Sequence, residues 1–386
     1  TNRGQLGGSA GVSITANTLS NEAAGSIQAA NALSLDTLVL STAGDIQAAG
    51  PLALTALTSF TGTGTLRSNA AITLSSNGAV SIGGRLDGGT TLNVVAGSLA
   101  LPGDLTLNNG ISLRTTAGNL DVSGKTVSGT SLVATSHGMF SVGGSGLFYG
   151  TSGLSAGGDR VLIAGQFVSP DALALNAVTS IEVSGTIVSN TSADLRSGAG
   201  TKIASTGVVN SGVVRLAAGS LVMAGSVTSG GLAALDVTDD TTLDGSLTAK
   251  GDVQVAGSGD FAVNLGGNLV SDQNIVWSSI GKLTVAGNVA AKGNITGQLN
   301  DVASLSGTLQ SGADIALTMV GSNTLDVGGQ VSAIDDITLT GGIVSVTGSI
   351  VAGNQFNFAT DKFQNNLKSL QIDGTIAAVG GASLTT

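Results

Sequence analysis

A short phrase, Gly followed by one residue and then an apolar residue, recurs along this chain at an almost constant spacing. Copies such as GTLRSN and GTLQSG begin at Gly64 and Gly307. We call the apolar residue of each phrase a mark. Most successive marks are 19 to 22 residues apart, and the last two are separated by 26. A period near twenty indicates one structural unit built many times over. The nineteen apolar marks are Leu6, Ile27, Ile46, Leu66, Leu86, Leu105, Val127, Leu147, Phe167, Ile187, Val208, Val227, Leu247, Leu269, Val289, Leu309, Val331, Ile350 and Ile376.

Between the marks, short segments alternate strictly between apolar residues and Ser or Thr. Ile72-Thr73-Leu74 is followed by Val80-Ser81-Ile82, and the same pairing of triplets recurs in later repeats. A period of two points one row of side chains inward and the other outward, as in a strand. Gly, Asn and Asp separate the triplets and suit tight corners. The pattern therefore predicts two short strands and a third piece in each repeat.

Closing each repeat into one turn of a coil stacks every apolar residue on its counterpart in the previous turn. We therefore predict an all-β fold, a right-handed parallel β-helix (β-solenoid) of about 19 coils with a ~20-residue repeat. Coils ~4.8 Å apart would give a rod of roughly 90 Å. A stack of helices is excluded because no segment has a period of 3.6.

No domain boundary interrupts the rhythm, so one continuous shaft is expected over residues 1–386. The last interval is longer than the others and holds three of the eight Phe residues, Phe356, Phe358 and Phe363. Residues 351–372 are therefore predicted to form an enlarged turn or loop within the last coil.

Charge and composition exclude several kinds of partner. The net charge is −10, and residues 231–386 carry 5 basic and 14 acidic side chains, whereas residues 1–230 carry 9 and 10. An acidic surface repels phosphate backbones, so we predict no nucleic-acid partner. The chain has no Cys, and no run of ~18 apolar residues predicts a transmembrane segment.

The alternation also assigns faces to individual side chains. Ile187, Val227, Leu247 and Leu309 should stack in one inward ladder, while Thr73 should face outward. If the side chain of Leu147 faces inward, alternation along the strand places that of Phe148 on the outer surface. Phe148 is therefore a candidate for stacking on a sugar. The same count places further aromatic residues in the core: Phe140, Phe261 and Trp277.

Candidates for chemistry are few, and we predict no catalytic residue, no cofactor and no enzyme activity. The single His137 follows Ser136 and precedes Gly138, and is interpreted as a solvent-facing corner. One acidic cluster stands out in the second half. Its residues are interpreted as solvated corners, with a calcium site as the alternative. They are Asp236, Asp239, Asp240, Asp244 and Asp260.

Three stretches, TNRGQLGG (1–8), LSNEAAGSIQAA (19–30) and STAGDIQAAG (41–50), carry a family resemblance. They resemble the haemagglutinin-type repeats of two-partner secretion exoproteins, which include filamentous haemagglutinin and the contact-dependent growth inhibition effectors. The likeness extends over essentially the whole chain. The family's Asn-Pro-Asn secretion motif is absent from the chain, which contains no Asn-Pro. The resemblance implies a central piece of a longer fibre.

The resemblance implies a non-enzymatic shaft of a secreted, surface-associated adhesin with a virulence role in a Gram-negative bacterium. The implied partners are an outer-membrane secretion pore during export and an unidentified receptor or glycan on a host or neighbouring cell. One alternative is the shaft of a contact-dependent growth inhibition toxin. A second alternative, which rests on fold analogy alone, is a β-helix enzyme that processes polysaccharides.

Overall fold

The computed structural model describes residues 1–320, 323–359 and 369–385. These residues contain only strands and the corners that join them, and they divide into two compact units, Thr1–Thr191 and Ser192–Thr386. The strands of unit 1 are β1 Gln5–Gly8, β2 Val12–Asn21, β3 Ser26–Ala29, β4 Leu33–Thr42, β5 Asp45–Ala48, β6 Leu52–Gly62, β7 Thr65–Ser68, β8 Ile72–Ser75, β9 Ala79–Ile82, β10 Arg85–Gly88, β11 Leu92–Ala96, β12 Ser98–Leu101, β13 Asp104–Leu107, β14 Ile111–Thr115, β15 Leu120–Val122, β16 Lys125–Ser128, β17 Leu132–Thr135, β18 Met139–Val142, β19 Leu147–Gly150, β20 Leu154–Ile163, β21 Gln166–Ser169, β22 Leu173–Val183 and β23 Thr186–Ser189.

The strands of unit 2 are β24 Ser192–Ser197, β25 Gly200–Ile203, β26 Val208–Ser211, β27 Val213–Ala218, β28 Ser220–Met223, β29 Ser226–Ser229, β30 Ala233–Val237, β31 Thr241–Leu243, β32 Ser246–Ala249, β33 Val253–Gly257, β34 Phe261–Val263, β35 Asn268–Ser271, β36 Ile275–Ile280, β37 Leu283–Val285, β38 Asn288–Ala291, β39 Ile295–Leu299, β40 Ala303–Leu305, β41 Thr308–Ser311, β42 Ile315–Met319, β43 Thr324–Val327, β44 Gln330–Ala333, β45 Ile337–Thr340, β46 Ile343–Val346, β47 Ser349–Ala352, β48 Gln355–Ala359, β49 Ser369–Ile372, β50 Thr375–Ala378 and β51 Gly381–Thr385.

Each coil consists of a first, a second and a third strand, as in β8, β9 and β10. Within each unit, the strands pair in parallel with their counterparts in the neighbouring coil, so that Ile72 lies beside Leu92 and Leu92 beside Ile111. In some coils the first two strands run on as one strand of ten or eleven residues, such as β4 and β6. The third strand occurs ten times in unit 1 and nine times in unit 2. The predicted all-β, parallel solenoid with a ~20-residue repeat is confirmed.

The core consists of inward ladders. Each ladder is a stack of side chains from the same strand position in successive coils. Leu247 lies between Val227 and Leu269 in the third-strand ladder, and all three are fully buried. The predicted inward orientation of Ile187, Val227, Leu247 and Leu309 is confirmed, and Thr73 is exposed as predicted. Burial of such side chains, on the order of 2 kcal/mol each, is the main favourable term for this fold.

Three of the nineteen predicted marks are wrong by one residue. Thr126, Phe148 and Val209 face the core, in place of Val127, Leu147 and Val208. The inward residue always follows the corner glycine by two positions, whatever its hydrophobicity. Gly124, Gly146 and Gly207 each precede the buried residue by that spacing. Backbone geometry, and not the most apolar side chain nearby, therefore sets the register.

The corner glycines explain why the phrase begins with Gly. Glycines at this corner lie directly over one another, and a Cβ on Gly245 would overlap the carbonyl oxygen of Gly225. Gly307 over Gly287 shows the same close approach. A larger residue would force the two coils apart at this corner, because the obstructing atoms belong to the backbone. Glycine is needed here for space.

Aromatic residues fill the core beside these ladders. Phe148 stacks on Phe167 with their ring centroids 5.6 Å apart, and Phe140 packs edge-on against Phe148 at 5.3 Å. Phe261 and Trp277 pack together in unit 2, with ring centroids 6.2 Å apart. The predicted core positions of Phe140, Phe261 and Trp277 are confirmed, since all three side chains are buried.

The region predicted as an enlarged turn, residues 351–372, is only partly described. Phe356 and Phe358 lie in β48, which pairs with β45, and both side chains are buried. Residues 360–368, with Phe363, lie outside the described residues, and the chain is described again from β49. No helix within the described residues is long and apolar enough to cross a membrane.

Thr126 is the polar exception in its ladder, and it yields a stability prediction. Its side chain is fully buried between Leu105 and Phe148, and its hydroxyl oxygen has no hydrogen-bond partner. We expect Thr126→Val to raise the free energy of unfolding by about 1 kcal/mol, because it removes an unsatisfied buried hydroxyl without changing shape. Thermal and urea denaturation would measure this. The control, Thr106→Val on the exposed face of β13, should change little; destabilisation by Thr126→Val would contradict the assignment.

Candidate functional site

The candidate features are the three corners of the coil, the acidic cluster and two surface grooves.

A serine recurs at the end of the third strand, where the chain turns into the next coil. The Ser68 hydroxyl donates to the carbonyl of Gly50 at 2.8 Å, one coil away, and accepts from the Ala70 N–H at 3.0 Å. Ser271 and Ser311 make the same pair of contacts in unit 2. These hydroxyls bind neighbouring coils together and are not available as nucleophiles.

A second ladder of polar side chains lies just before the first strand in five successive coils of unit 2, those that begin with β33, β36, β39, β42 and β45. The Asp252 carboxylate accepts from the backbone N–H of Asn274 at 3.1 Å, and the side-chain oxygen of Asn274 accepts from the backbone N–H of Asn294 at 2.8 Å. Asn294 accepts from Asp314 and Asp314 from Asp336, both at 3.0 Å. Each side chain thus satisfies a backbone donor in the next coil, and the series acts as a continuous clamp along this corner.

Sequence reasoning missed this Asx ladder, although the chain contains the signal. In these five coils an Asp or Asn directly precedes the first apolar residue of the first strand, as in Asp252-Val253 and Asn294-Ile295. The spacing from Asp252 to Asn274 and onward follows the coil period. In sequence, Asp and Asn are typical of turns and of oxygen ligands, and their role as acceptors for a backbone N–H one period away depends on the register of the coils.

Two carboxylates of the acidic cluster accept backbone N–H groups of the next coil in the same way. The Asp240 carboxylate accepts from the N–H of Asp260 at 3.0 Å, and the Asp260 carboxylate accepts from the N–H of Lys282 at 2.9 Å. The Asp244 carboxylate accepts from the side-chain amide of Asn264 at 2.7 Å. All five residues of the cluster are exposed: Asp236, Asp239, Asp240, Asp244 and Asp260.

These carboxylates do not converge on a common point. Among the residues that the structure describes, no group of three or more His, Cys, Asp or Glu side chains is arranged to hold a metal ion. Asp236 points outward from β30, whereas Asp240 directly precedes β31 and Asp244 directly follows it. Three of the five carboxylates, those of Asp240, Asp244 and Asp260, act as coil-to-coil acceptors.

The cluster provides a direct test of the calcium alternative. We expect Asp260→Ala to lower the free energy of unfolding by about 1 kcal/mol, because the Lys282 N–H loses its acceptor. Asp260→Asn keeps a side-chain oxygen and should cost less. Adding Ca²⁺ should leave the melting temperature of the original chain unchanged, since a bound ion would raise it by mass action. A saturable rise that disappears in Asp260→Asn would instead establish a calcium site.

The sugar-stacking candidate is not on the surface. Phe148 faces the core and is fully buried, so the predicted outward orientation is wrong. The residues that flank it, Leu147 and Tyr149, lie on the outer side of β19 and are partly exposed. The error arises from the displaced mark at Leu147, which inverted the two faces of this strand.

Two surface grooves are lined by polar side chains in unit 1. One, of about 580 Å³, lies over β10 and β13 and is lined by the charged side chains of Arg85, Asp87, Asp104 and Lys125. Arg85 and Asp87 form an exposed ion pair with a nitrogen–oxygen distance of 3.4 Å. Exposed pairs of this kind contribute little to stability. The groove is an open, mixed-charge surface.

The other groove, of about 440 Å³, contains the single histidine. His137 and Asp159 are the titratable residues among those that line it. His137 is exposed at a corner, as predicted, and its backbone N–H donates to the Thr115 hydroxyl at 3.0 Å. Ser136, the adjacent hydroxyl, is buried and donates to the Met139 carbonyl at 3.0 Å. The groove therefore presents a histidine and a carboxylate without an accessible nucleophile from Ser136.

Comparison with protein-family models, curated proteins and solved structures finds no match to this chain. The class of the protein therefore rests on its own fold and contacts. Both units are parallel β-solenoids in which backbone pairing, glycine contact and polar side chains all link one coil to the next.

Proposed function

We propose that this chain is a non-enzymatic structural shaft segment of a large secreted, surface-associated adhesin-type exoprotein. The observation that carries the proposal is the continuity of the corner ladders. The same side chains make the same contact in coil after coil, as Asp252, Asn274, Asn294 and Asp314 do along one corner. Such a stack is stabilised by nearest-neighbour contacts and can be extended without limit, which suits a spacer.

The cellular setting of the proposal rests on the resemblance described above. In this setting the chain leaves a Gram-negative cell through an outer-membrane secretion pore and projects a distal domain toward a receptor or glycan on another cell. A chain without Cys has no disulfide to form before or during export. If the distal domain is a toxin, the same stack serves as the shaft of a contact-dependent growth inhibition effector.

A shaft should tolerate the removal of one whole coil. Residues 232–251 form such a coil, with β30, β31 and β32, and their removal brings Gly231 next to Asp252. We expect this deletion to keep the β-type circular dichroism and to lower the melting temperature only slightly, because each ladder closes again in register. Removing only residues 232–241 should unfold several coils, since it places unlike strands side by side.

The same pair of variants tests the function in cells that export the protein. Antibody labelling of intact cells should detect the original chain and the whole-coil deletion equally, and the half-coil deletion should be lost to proteolysis. Chain that is found only inside intact cells would overturn the proposed location. Release of oligosaccharides from polysaccharide by the purified chain, abolished by the whole-coil deletion, would support the enzyme alternative and overturn the shaft.

A further inference from the structure

One surface of unit 2 differs from the rest of the chain in its chemistry. It is formed by the outward side chains of the nine third strands, the first and third residues of each strand from β26 to β50. We refer to it as the neutral face. None of these outward residues is charged in any of the nine strands, all of which the structure describes. They are Ser, Thr, Asn, Gln, Val and Ala, as in Ser246, Thr248 and Gln310.

The equivalent surface of unit 1 is charged. Arg67, Arg85, Asp87, Asp104 and Lys125 occupy the same outward positions there, on β7, β10, β13 and β16. The lack of charge in unit 2 is therefore not a requirement of the coil. Ordinary soluble surfaces intersperse Lys, Arg, Asp and Glu, which hold other molecules away. The acidic side chains of unit 2 lie instead at corners, such as Asp252 and Asp314, or on first and second strands, as Asp236 does.

We propose that the neutral face is a lateral docking surface for a second copy of this chain. Hydroxyl and amide groups both donate and accept hydrogen bonds, so a surface built from them is complementary to itself across a two-fold axis. Asn288 already donates to Asn268 at 2.7 Å along one row of this face. Ser, Thr, Val and Ala also lose little rotamer entropy when they are covered.

Charge favours this face over any other for self-association. The chain carries a net charge of −10, so two copies repel each other wherever their acidic corners approach. A face without charged side chains is where two copies meet with least repulsion. The neutral face also has no aromatic ring within its nine strands, which leaves it without the stacking platform typical of sugar sites.

The area of the neutral face determines how strongly two copies are expected to associate. Nine strands ~4.8 Å apart and four residues long cover roughly 40 Å by 13 Å, or roughly 500 Å² per copy. Two copies would bury roughly 1,000 Å², which is at the lower limit for a specific interface. The association should therefore be weak and concentration-dependent.

Single-cysteine variants test the proposal cleanly because the chain has no Cys of its own. Ala290 lies on β38, the fifth of the nine strands, so Ala290→Cys places a thiol near the centre of the neutral face. Mild oxidation of the whole chain should give a disulfide-linked dimer of Ala290→Cys. The control, Thr242→Cys on the outer side of β31 and away from the neutral face, should stay largely monomeric.

Sedimentation of the original chain supplies the second measurement. The dimer fraction should rise with concentration and should be lost in the double variant Thr248→Lys, Thr308→Lys, because each copy then presents like charges to the other. Thr106→Lys, at the equivalent position in unit 1, should leave it unchanged. A chain that stays monomeric at its highest soluble concentration, with equal cross-linking of both cysteine variants, would overturn the proposal. So would a monomer that binds a neutral polysaccharide through this face.

The inference does not depend on the proposed function. A chain that dimerises through the neutral face but is absent from the cell surface would retain this inference and lose the shaft. A chain that is labelled at the cell surface but never dimerises would retain the proposed shaft and overturn this inference.

Discussion

Replacing Leu247 by Asp should destabilise unit 2 by several kcal/mol. Leu247 is fully buried between Val227 and Leu269, so the new carboxylate would have no water and no partner. Because each coil is stabilised by its neighbours, the coils on both sides should also open. Limited proteolysis and urea denaturation of unit 2 would record the loss.

The matched control for this variant lies one residue further along the same strand. Thr248 points to the opposite side of β32 and is partly exposed. Thr248→Asp should change the free energy of unfolding by no more than about 0.5 kcal/mol, as is usual for surface substitutions. If Thr248→Asp opened the chain while Leu247→Asp did not, the two faces of β32 would be assigned the wrong way round.

Gly329→Ala should cost about 3 kcal/mol, the second large effect that we predict. Gly329 lies at the glycine corner, and a Cβ there would overlap the carbonyl oxygen of Gly307 in the coil before. The obstructing atoms are backbone, which cannot rotate away, so the coils must separate locally. The melting temperature and the urea midpoint would both fall.

The neighbouring glycine is an unusually close control. A Cβ on Gly328 would meet only the Thr347 hydroxyl, at an ordinary contact distance of 3.7 Å. Gly328→Ala should therefore be neutral or slightly stabilising, since it restricts the unfolded chain. Equal destabilisation by the two variants would show that chain flexibility, and not the space between coils, is what the corner requires.

The repeat itself could be predicted because its two signals, glycine spacing and alternation, each reflect a physical need of the coil. The faces of Thr126, Phe148 and Val209 were missed for one reason. Hydrophobicity alone places the mark on the nearest apolar residue, whereas the register is fixed by the glycine two positions before the buried residue, which is in close backbone contact with a neighbouring coil. A Thr in the core and a Leu on the surface are tolerated at small cost, but a side chain at the glycine corner is not.

The polar contacts were harder to predict than the strands. In the sequence, Asp240 and Asp260 are possible oxygen ligands for a metal ion. In the structure, each carboxylate instead accepts a backbone N–H of the next coil, and the position of that N–H determines where the carboxylate points. The hydrogen bond from the N–H of Asn274 to Asp252 joins residues one full coil apart. Such a contact becomes visible only when the coils are placed in register.

The lengths of the three corners have a consequence for inserting foreign sequence. From the third strand to the first, the buried residues Leu247 and Val253 are six positions apart, and Leu309 and Ile315 have the same spacing. From the first strand to the second, the spacing varies, with seven positions from Leu92 to Leu99 and nine from Ile111 to Leu120. A peptide epitope grafted between Ile111 and Leu120 would thus enter a turn that already accommodates different lengths, and repeated grafts would display it at regular intervals.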